Sequence, residues 1–331
     1  MGKSLKDIAE ALNMSKATVS WVLSGKGKAR GFNEDTIKLV QEYAVKIGYR
    51  PNLLARSLSV GASNTLGLII PFIGDTFYAQ LAQAIEGEAE RSNYLVTICS
   101  SEGSSAKEIE LIKTLRSKQV DGLIIAPTKD SAPEIEQLKA DRFPFVLIDR
   151  YFPQIDSNYI VVNNESSSYE VVSELAKRGS KKIALLTSDT QLFVMGLRLN
   201  GYQQALKETN TAPNEELIVK INRSDYKNDI FGKLDNLFEN HPDVDGIYFT
   251  THYLALESIR YFITRNIDYK HRFRLGCFHE MEALEVLAPE MLISRMPIGD
   301  IGKYAVEILL GCVNDKNREP KGLVLENSLT I

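Results

Sequence analysis

The chain changes its apolar spacing once. From Leu5 to Gly48 the period is helical. In LKDIAEAL, Leu5, Ile8, Ala9 and Leu12 fall at i, i+3, i+4 and i+7 and share one stripe. Ser4 with Asp7 three residues on has the form of a capping box. The triplet NMS predicts a tight turn, after which Ser15 can cap a second helix, KATVSWVLS, that stops at Gly25. Asn33 caps a third, EDTIKLVQEYAVKI, in which Ile37, Val40, Tyr43, Ala44 and Ile47 hold the period until Gly48 ends it. Two helices across a tight turn, with a third behind, predict an all-α helix-turn-helix head over residues 1–50.

Residues 51–64 differ. Pro51 suits a first helical turn, NLLARSL allows two turns of helix, and SVGASN is a flexible linker. A helix that short does not hold by itself. From Thr65 onward, apolar strands alternate with amphipathic helices. The strand segments are TLGLIIP, YLVTICS, GLIIAP, FVLIDR, YIVVN, KIALLTS, LIVKI, GIYFT and RLGCF. Such alternation predicts parallel sheets with helices on both faces. The strands are too many for one comfortable sheet, so the body is expected as two doubly wound α/β subdomains. Their spans are expected to be 65–162 plus 293–320 and 163–292 plus 321–331, with a ligand cleft between them beyond the strands' C-terminal ends.

Charge sharpens the division. Residues 1–60 hold ten Lys/Arg against five Asp/Glu, whereas the rest hold 29 against 38, consistent with a net charge of −4. A basic head on an acidic body is the asymmetry expected where the head alone meets a polyanion, and chance clustering of surface charge gives the same balance, so charge alone does not decide it. The three cysteines, Cys99, Cys277 and Cys312, are few and far apart, which argues against a disulfide framework and suits a reducing cytoplasm. No apolar run approaches a membrane span, and the N-terminus lacks the apolar core of a signal peptide, so a cytoplasmic protein without membrane contact is expected. Catalytic signatures are missing too: there is no nucleophile elbow, HExxH or P-loop, and GLIIPFIGDTF lacks the GxGxxG of a nicotinamide enzyme. No enzyme activity, cofactor or metal is therefore expected. His252, Cys277 and His279 could approach one another, but the set lacks a firm third ligand.

LKDIAEALNMSKATVSWVLSG, followed by GYRPNLLARSL, LGLIIP, DTFYAQLAQAIEGEAE, VDGLIIAP and VLIDR, resembles the lactose-repressor (LacI/GalR) family of bacterial transcription regulators. LRLNGY and IGDIGKYAVEILL extend the resemblance over essentially the whole chain. It is most specific in the first sixty residues, because periplasmic sugar-binding proteins share the body's fold. The resemblance implies a homodimer whose paired heads bind a pseudopalindromic operator in double-stranded DNA. It also implies a periplasmic-binding-protein-like body that senses a small, sugar-like effector, in a repressor of a carbohydrate-use operon. The alternative, a periplasmic solute-binding protein with no gene-regulatory role, leaves the basic head unused.

On the second helix, Ser15, Lys16, Ala17, Thr18 and Ser20 are short or flexible residues that can approach bases and phosphates in a major groove. The resemblance gives base choice to Lys16 and Ala17. Trp21, the only tryptophan, stands where relatives commonly carry Arg; it either stacks on the sugar-phosphate backbone or supports the third helix by packing. Lys26, Lys28 and Arg30, in a loop longer than in the family's prototypes, read as phosphate contacts or as a solvated tip. By family position Leu5, Asn33, Thr36, Tyr49 and Asn52 join the DNA-facing set, and Leu58, with Ala55 nearby, matches the minor-groove wedge.

For the effector, the resemblance points to Asp75, Phe77 and Tyr78 after the first strand, Asp149 and Arg150 after FVLI, and Arg198 in LRLNGY, whose planar fork suits hydroxyls, a carboxylate or a phosphate. Two positions depart from the sugar-binding pattern: Thr251 and His252 stand where Asn-Asp is frequent, and His279 where an Asp is. Two imidazoles and an arginine favour a phosphorylated or acidic ligand over a neutral hexose.

Overall fold

The computed structural model describes residues 4–49, 62–209 and 214–330. The chain divides into two compact units, 1–63 and 64–331. In the first, helices α1 (Leu5–Ala11), α2 (Lys16–Leu23) and α3 (Glu34–Lys46) start where their caps predict. The Ser4 hydroxyl and the Asp7 carboxylate each accept the other's backbone N–H. Ser15 Oγ accepts from Thr18 N at 3.0 Å and Asn33 Oδ1 from Thr36 N at 2.8 Å. Ile8 and Ala9, Val19 and Val22, Val40 and Ala44, a pair from each helix, are buried together in one core.

The described residues of the second unit carry twelve strands: β1 (Thr65–Ile70), β2 (Leu95–Ser100), β3 (Gly122–Ile125), β4 (Phe145–Ile148), β5 (Tyr159–Val162), β6 (Ile183–Ser188), β7 (Ile218–Ile221), β8 (Gly246–Phe249), β9 (Arg274–Phe278), β10 (Leu292–Arg295), β11 (Gly322–Leu325) and β12 (Ser328–Thr330). They form two six-stranded sheets, ordered β11-β5-β4-β3-β1-β2 and β12-β10-β9-β8-β6-β7. Every pairing is parallel except β10 with β12. Strand alternation divides the core of the first sheet. Leu66, Leu68 and Ile70 pack with helices 76–91 and 298–314 on one face, and Ile69 packs with helices 105–117 and 132–140 on the other.

The nine strands read from the alternation are β1 to β9. The last three escape that reading: β10 and β12 include polar residues (Ser294 and Arg295, Ser328 and Thr330), and β11 and β12 lie half exposed at sheet edges. This shifts the expected subdomain limits. β10, assigned from residue 293 to the first lobe, pairs with β9 in the second, whereas β11, assigned to the second lobe, pairs with β5 in the first. The chain therefore crosses between lobes three times: after β5, after β10, and between β11 and β12. In the second lobe helices 164–177 and 193–208 approach so closely at Gly201 that an added Cβ would lie 2.2 Å from the Glu165 carbonyl oxygen. That contact sets the height of Arg198, one turn earlier.

Candidate functional site

Two places concentrate the candidate residues. On α2, Lys16, Ala17 and Ser20 are exposed while Val19 and Val22 face the core. Thr18 is half-buried and its hydroxyl pairs with that of Ser15 at 2.9 Å. Trp21 stays outside the buried core and packs on the loop before α3. Its ring stacks on Phe32, with centroids 6.2 Å apart and planes 28° from parallel. The Arg30 guanidinium lies 4.8 Å from the Trp21 ring centroid. Lys26 is exposed, and Lys28 pairs with Glu34 at 2.8 Å on the surface. Leu5 and Tyr49 pack, half-buried, against the head's core, and burial pushes the Tyr49 phenol up. Asn33 and Thr36 are joined by the α3 cap, which uses one oxygen of Asn33. Asn52, Ala55 and Leu58 lie outside the described residues.

The second place is a cleft of about 1050 Å³ between the two lobes of the body, and all nine candidate effector residues line it. Strand-to-helix corners explain the gathering, because parallel strands deliver their C-terminal ends to one edge. Asp149 follows β4 in one lobe and His279 follows β9 in the other. Both take the left-handed region, at φ +63° and +80°. Turning out of the sheet in this way is tolerated by Asp and His more than by most side chains.

Each lobe contributes a cluster. In the first, Asp149 Oδ2 accepts from the Tyr78 hydroxyl at 2.7 Å and from Arg150 Nε at 3.1 Å, and Arg150 Nη2 donates to the Tyr78 oxygen at 2.8 Å. Burial opposes the Arg150 cation, but Tyr78, Asp149 and Glu108 outweigh it and hold the guanidinium above its usual range. Burial likewise keeps the Tyr78 phenol far from ionising. In the second lobe, Arg198 is only 5% exposed. It donates to Asn164 Oδ1 at 2.8 Å and to the Thr250 carbonyl at 2.7 Å, with its guanidinium 3.7 Å from the Phe278 ring centroid. Those partners are neutral, and no carboxylate pairs with Arg198 among the described residues.

Asp75 crosses the cleft. Its Oδ1 caps helix 76–91 through Phe77 N and lies 3.2 Å from His252 Nε2, while Oδ2 lies 3.7 Å from Arg223 Nη2. Burial alone would raise this carboxyl, but His252, Arg223 and the Phe77 N–H together hold it below the ordinary range. His252 Nδ1 then meets His279 Nδ1 at 3.1 Å. His279 is 3% exposed with Phe77 edge-on at 4.7 Å. Burial first, then His252 and Arg198, depress its pKa well below the usual value, so the ring is neutral. Its Nε2 and the Thr251 hydroxyl are buried with no hydrogen-bond partner among the described residues.

Sequence reasoning missed Arg223. It sits in the turn after β7, with its guanidinium 4.5 Å from the Phe72 ring centroid and 4.0 Å from that of Tyr253. Nothing in NRSDY marks it: the Tyr226 ring lies 5.4 Å away, but Phe72, Asp75 and Tyr253 come from distant parts of the chain. The metal set weighed from sequence does not assemble: no group of three His, Cys, Asp or Glu suited to a metal occurs among the described residues. Cys277 packs in the second-lobe core, and burial pushes its thiol far up. No helix among the described residues is long and apolar enough to cross a membrane.

Comparison with known proteins gives concordant likenesses. Residues 63–261 match the family described as periplasmic binding proteins and the sugar binding domain of the LacI family. The ribose operon repressor of Haemophilus influenzae is 26% identical over 323 residues, covering 98% of this chain and 96% of that repressor. The fold is shared with the Lac repressor dimer bound to operator and an anti-inducer, at TM-score 0.86 and 19% identity over 100% of this chain and 98% of that one. It is shared as well with the Cra regulator of Pseudomonas putida in complex with fructose 1-phosphate, at TM-score 0.72 and 21% identity over 81% and 98% of the two chains.

Proposed function

The chain belongs to the LacI family, and from that premise we propose that it is a sequence-specific DNA-binding transcriptional regulator controlled by a small anionic sugar derivative. The three-helix unit is the DNA-reading head, working in a homodimer over two half-sites, with residues 51–64 as the segment that couples head to body. The cleft between the lobes is the effector site. Binding of effector and of DNA then influence each other by the same factor.

The observation that carries the effector class is Arg198. A buried cation is stable only with compensation, and Arg150 and Arg223 find it in Asp149 and Asp75. Arg198 hydrogen-bonds only neutral acceptors and lies on a ring face; the Asp149 carboxylate favours its charge without pairing with it, and burial still lowers its pKa. A phosphate or carboxylate on the ligand supplies the missing charge, in the bidentate geometry that a guanidinium favours. Ligand hydroxyls complete Thr251 Oγ1 and His279 Nε2, whose desolvation otherwise costs about 1–3 kcal/mol each.

Selection of duplexes from random DNA by the intact chain tests the regulator reading, with a two-half-site motif expected and no enrichment at low salt overturning it. Calorimetry with paired neutral, acidic and phosphorylated sugars tests the effector class. Tight binding of neutral sugars only would overturn it while leaving the DNA result untouched.

A further inference from the structure

We infer that Arg30, laid across the Trp21 ring, is a base-reading residue, so that the DNA-reading surface of the head is α2 together with the loop behind it. The inference rests on the DNA-binding reading above.

The loop is a built structure. The Lys26 N–H donates to the Trp21 carbonyl at 2.9 Å, the Arg30 N–H to the Lys26 and Gly27 carbonyls at 3.1 and 3.2 Å, and the Phe32 N–H to the Gly27 carbonyl at 3.1 Å. Gly25 and Gly31, at φ +76° and +79°, provide the two left-handed corners that this path needs. Gly27 is buried, and an added Cβ there would lie 3.0 Å from Ile37 Cγ1. Trp21 completes the brace by stacking on Phe32.

The side chains within this frame separate by role. Lys28 is drawn off to Glu34. Arg30 is exposed, and no carboxylate pairs with it among the described residues; its guanidinium rests on the indole. Trp21 follows Ala17 by four residues, one helical turn, so Arg30 caps the exposed face that Lys16, Ala17 and Ser20 begin. A loop lysine that only meets phosphate needs no such support. A flat fork held against an aromatic face keeps its two parallel donors in one orientation, which is what bidentate recognition of guanine O6 and N7 demands. Trp21 is thereby a positioning residue, shaping specificity without touching a base.

The test compares full-length wild type with Arg30→Ala, Arg30→Lys and Trp21→Ala in selection from random DNA, followed by binding to the enriched duplex and its single-base variants at several salt concentrations. The expected result is one position per half-site, a G·C pair, at which Arg30→Ala loses about 5- to 150-fold of discrimination. Arg30→Lys keeps the charge, and so the salt slope, yet loses the same discrimination. Trp21→Ala relaxes that same position although it removes no charge; circular dichroism shows whether its helices persist, and if they do not, the two Arg30 variants decide. Uniform weakening across all sequences in Arg30→Ala, with a salt slope lower by about one, makes Arg30 a phosphate contact and overturns the inference alone. A wild-type chain that enriches nothing overturns the regulator reading as well.

Discussion

At the scale of single residues, the cleft works through matching charges to partners. Arg198 holds two acceptors at fixed angles and lies over a ring, which lysine cannot imitate with one rotating ammonium. Arg198→Lys should therefore weaken effector binding at least tenfold by calorimetry, with a smaller loss in thermal stability. His279 makes a separate prediction. Its native pKa is depressed, so below an unfolded value near 6.5 the unfolded chain binds a proton that the native chain refuses. Its contribution to stability is thus fully present above that pH and falls as the medium is acidified, by up to about 1.4 kcal/mol per pH unit. Melting curves from pH 7 to 5 should show a steeper decline for wild type than for His279→Gln; equal slopes would refute the assignment. Much of this site was legible early. The family resemblance names Asp149, Arg198 and His279; the first and last stand at the corners after β4 and β9, and Arg198 lies within helix 193–208. The approach of His252 to His279 was anticipated, but the Asn164 partner of Arg198 did not show, because it lies 34 residues away on another helix.

Elements carry the head. α1 and α2 are 7 and 8 residues long, too short to persist without a shared core and good caps. Ser15 closes the N-terminus of α2, and Ser15→Ala should lower the stability of the head by about 1 kcal/mol. Trp21, the chain's single tryptophan, makes this measurable in the intact protein, since its fluorescence reports the head and not the body. An unchanged fluorescence midpoint in Ser15→Ala would show that the cap is idle. These helices were readable residue by residue because period, cap and terminating glycine all act within one or two turns. β10 to β12 were not, since each gains its strand conformation from a neighbour to pair with.

For the molecule as a whole, the three lobe crossings and the bridges of Asp75 to His252 and Arg223 make the cleft a place where closure is held by charge. Asp75→Asn leaves the Arg223 cation facing an amide and removes the carboxylate that meets His252, so the body should populate more open forms, seen as a larger radius of gyration in solution scattering without effector. No change in radius would mean that the apolar contact of Phe77 with His279 suffices. The sequence by itself determined the two-part plan: a basic helical head and an acidic body of alternating strands and helices, with strand ends as the place for chemistry. Those features follow from local periodicity, composition and caps, which each stretch of chain expresses alone. The tertiary structure decided the exchange of β10 and β11 between lobes, the Asp75–His252–His279 series, the arrival of Arg223 at the cleft, and the seat of Arg30 on Trp21. All but the last depend on which distant segments converge, a property of packed sheets and helices that no local pattern contains; the last depends on how residues 25–31 fold back over their own helix.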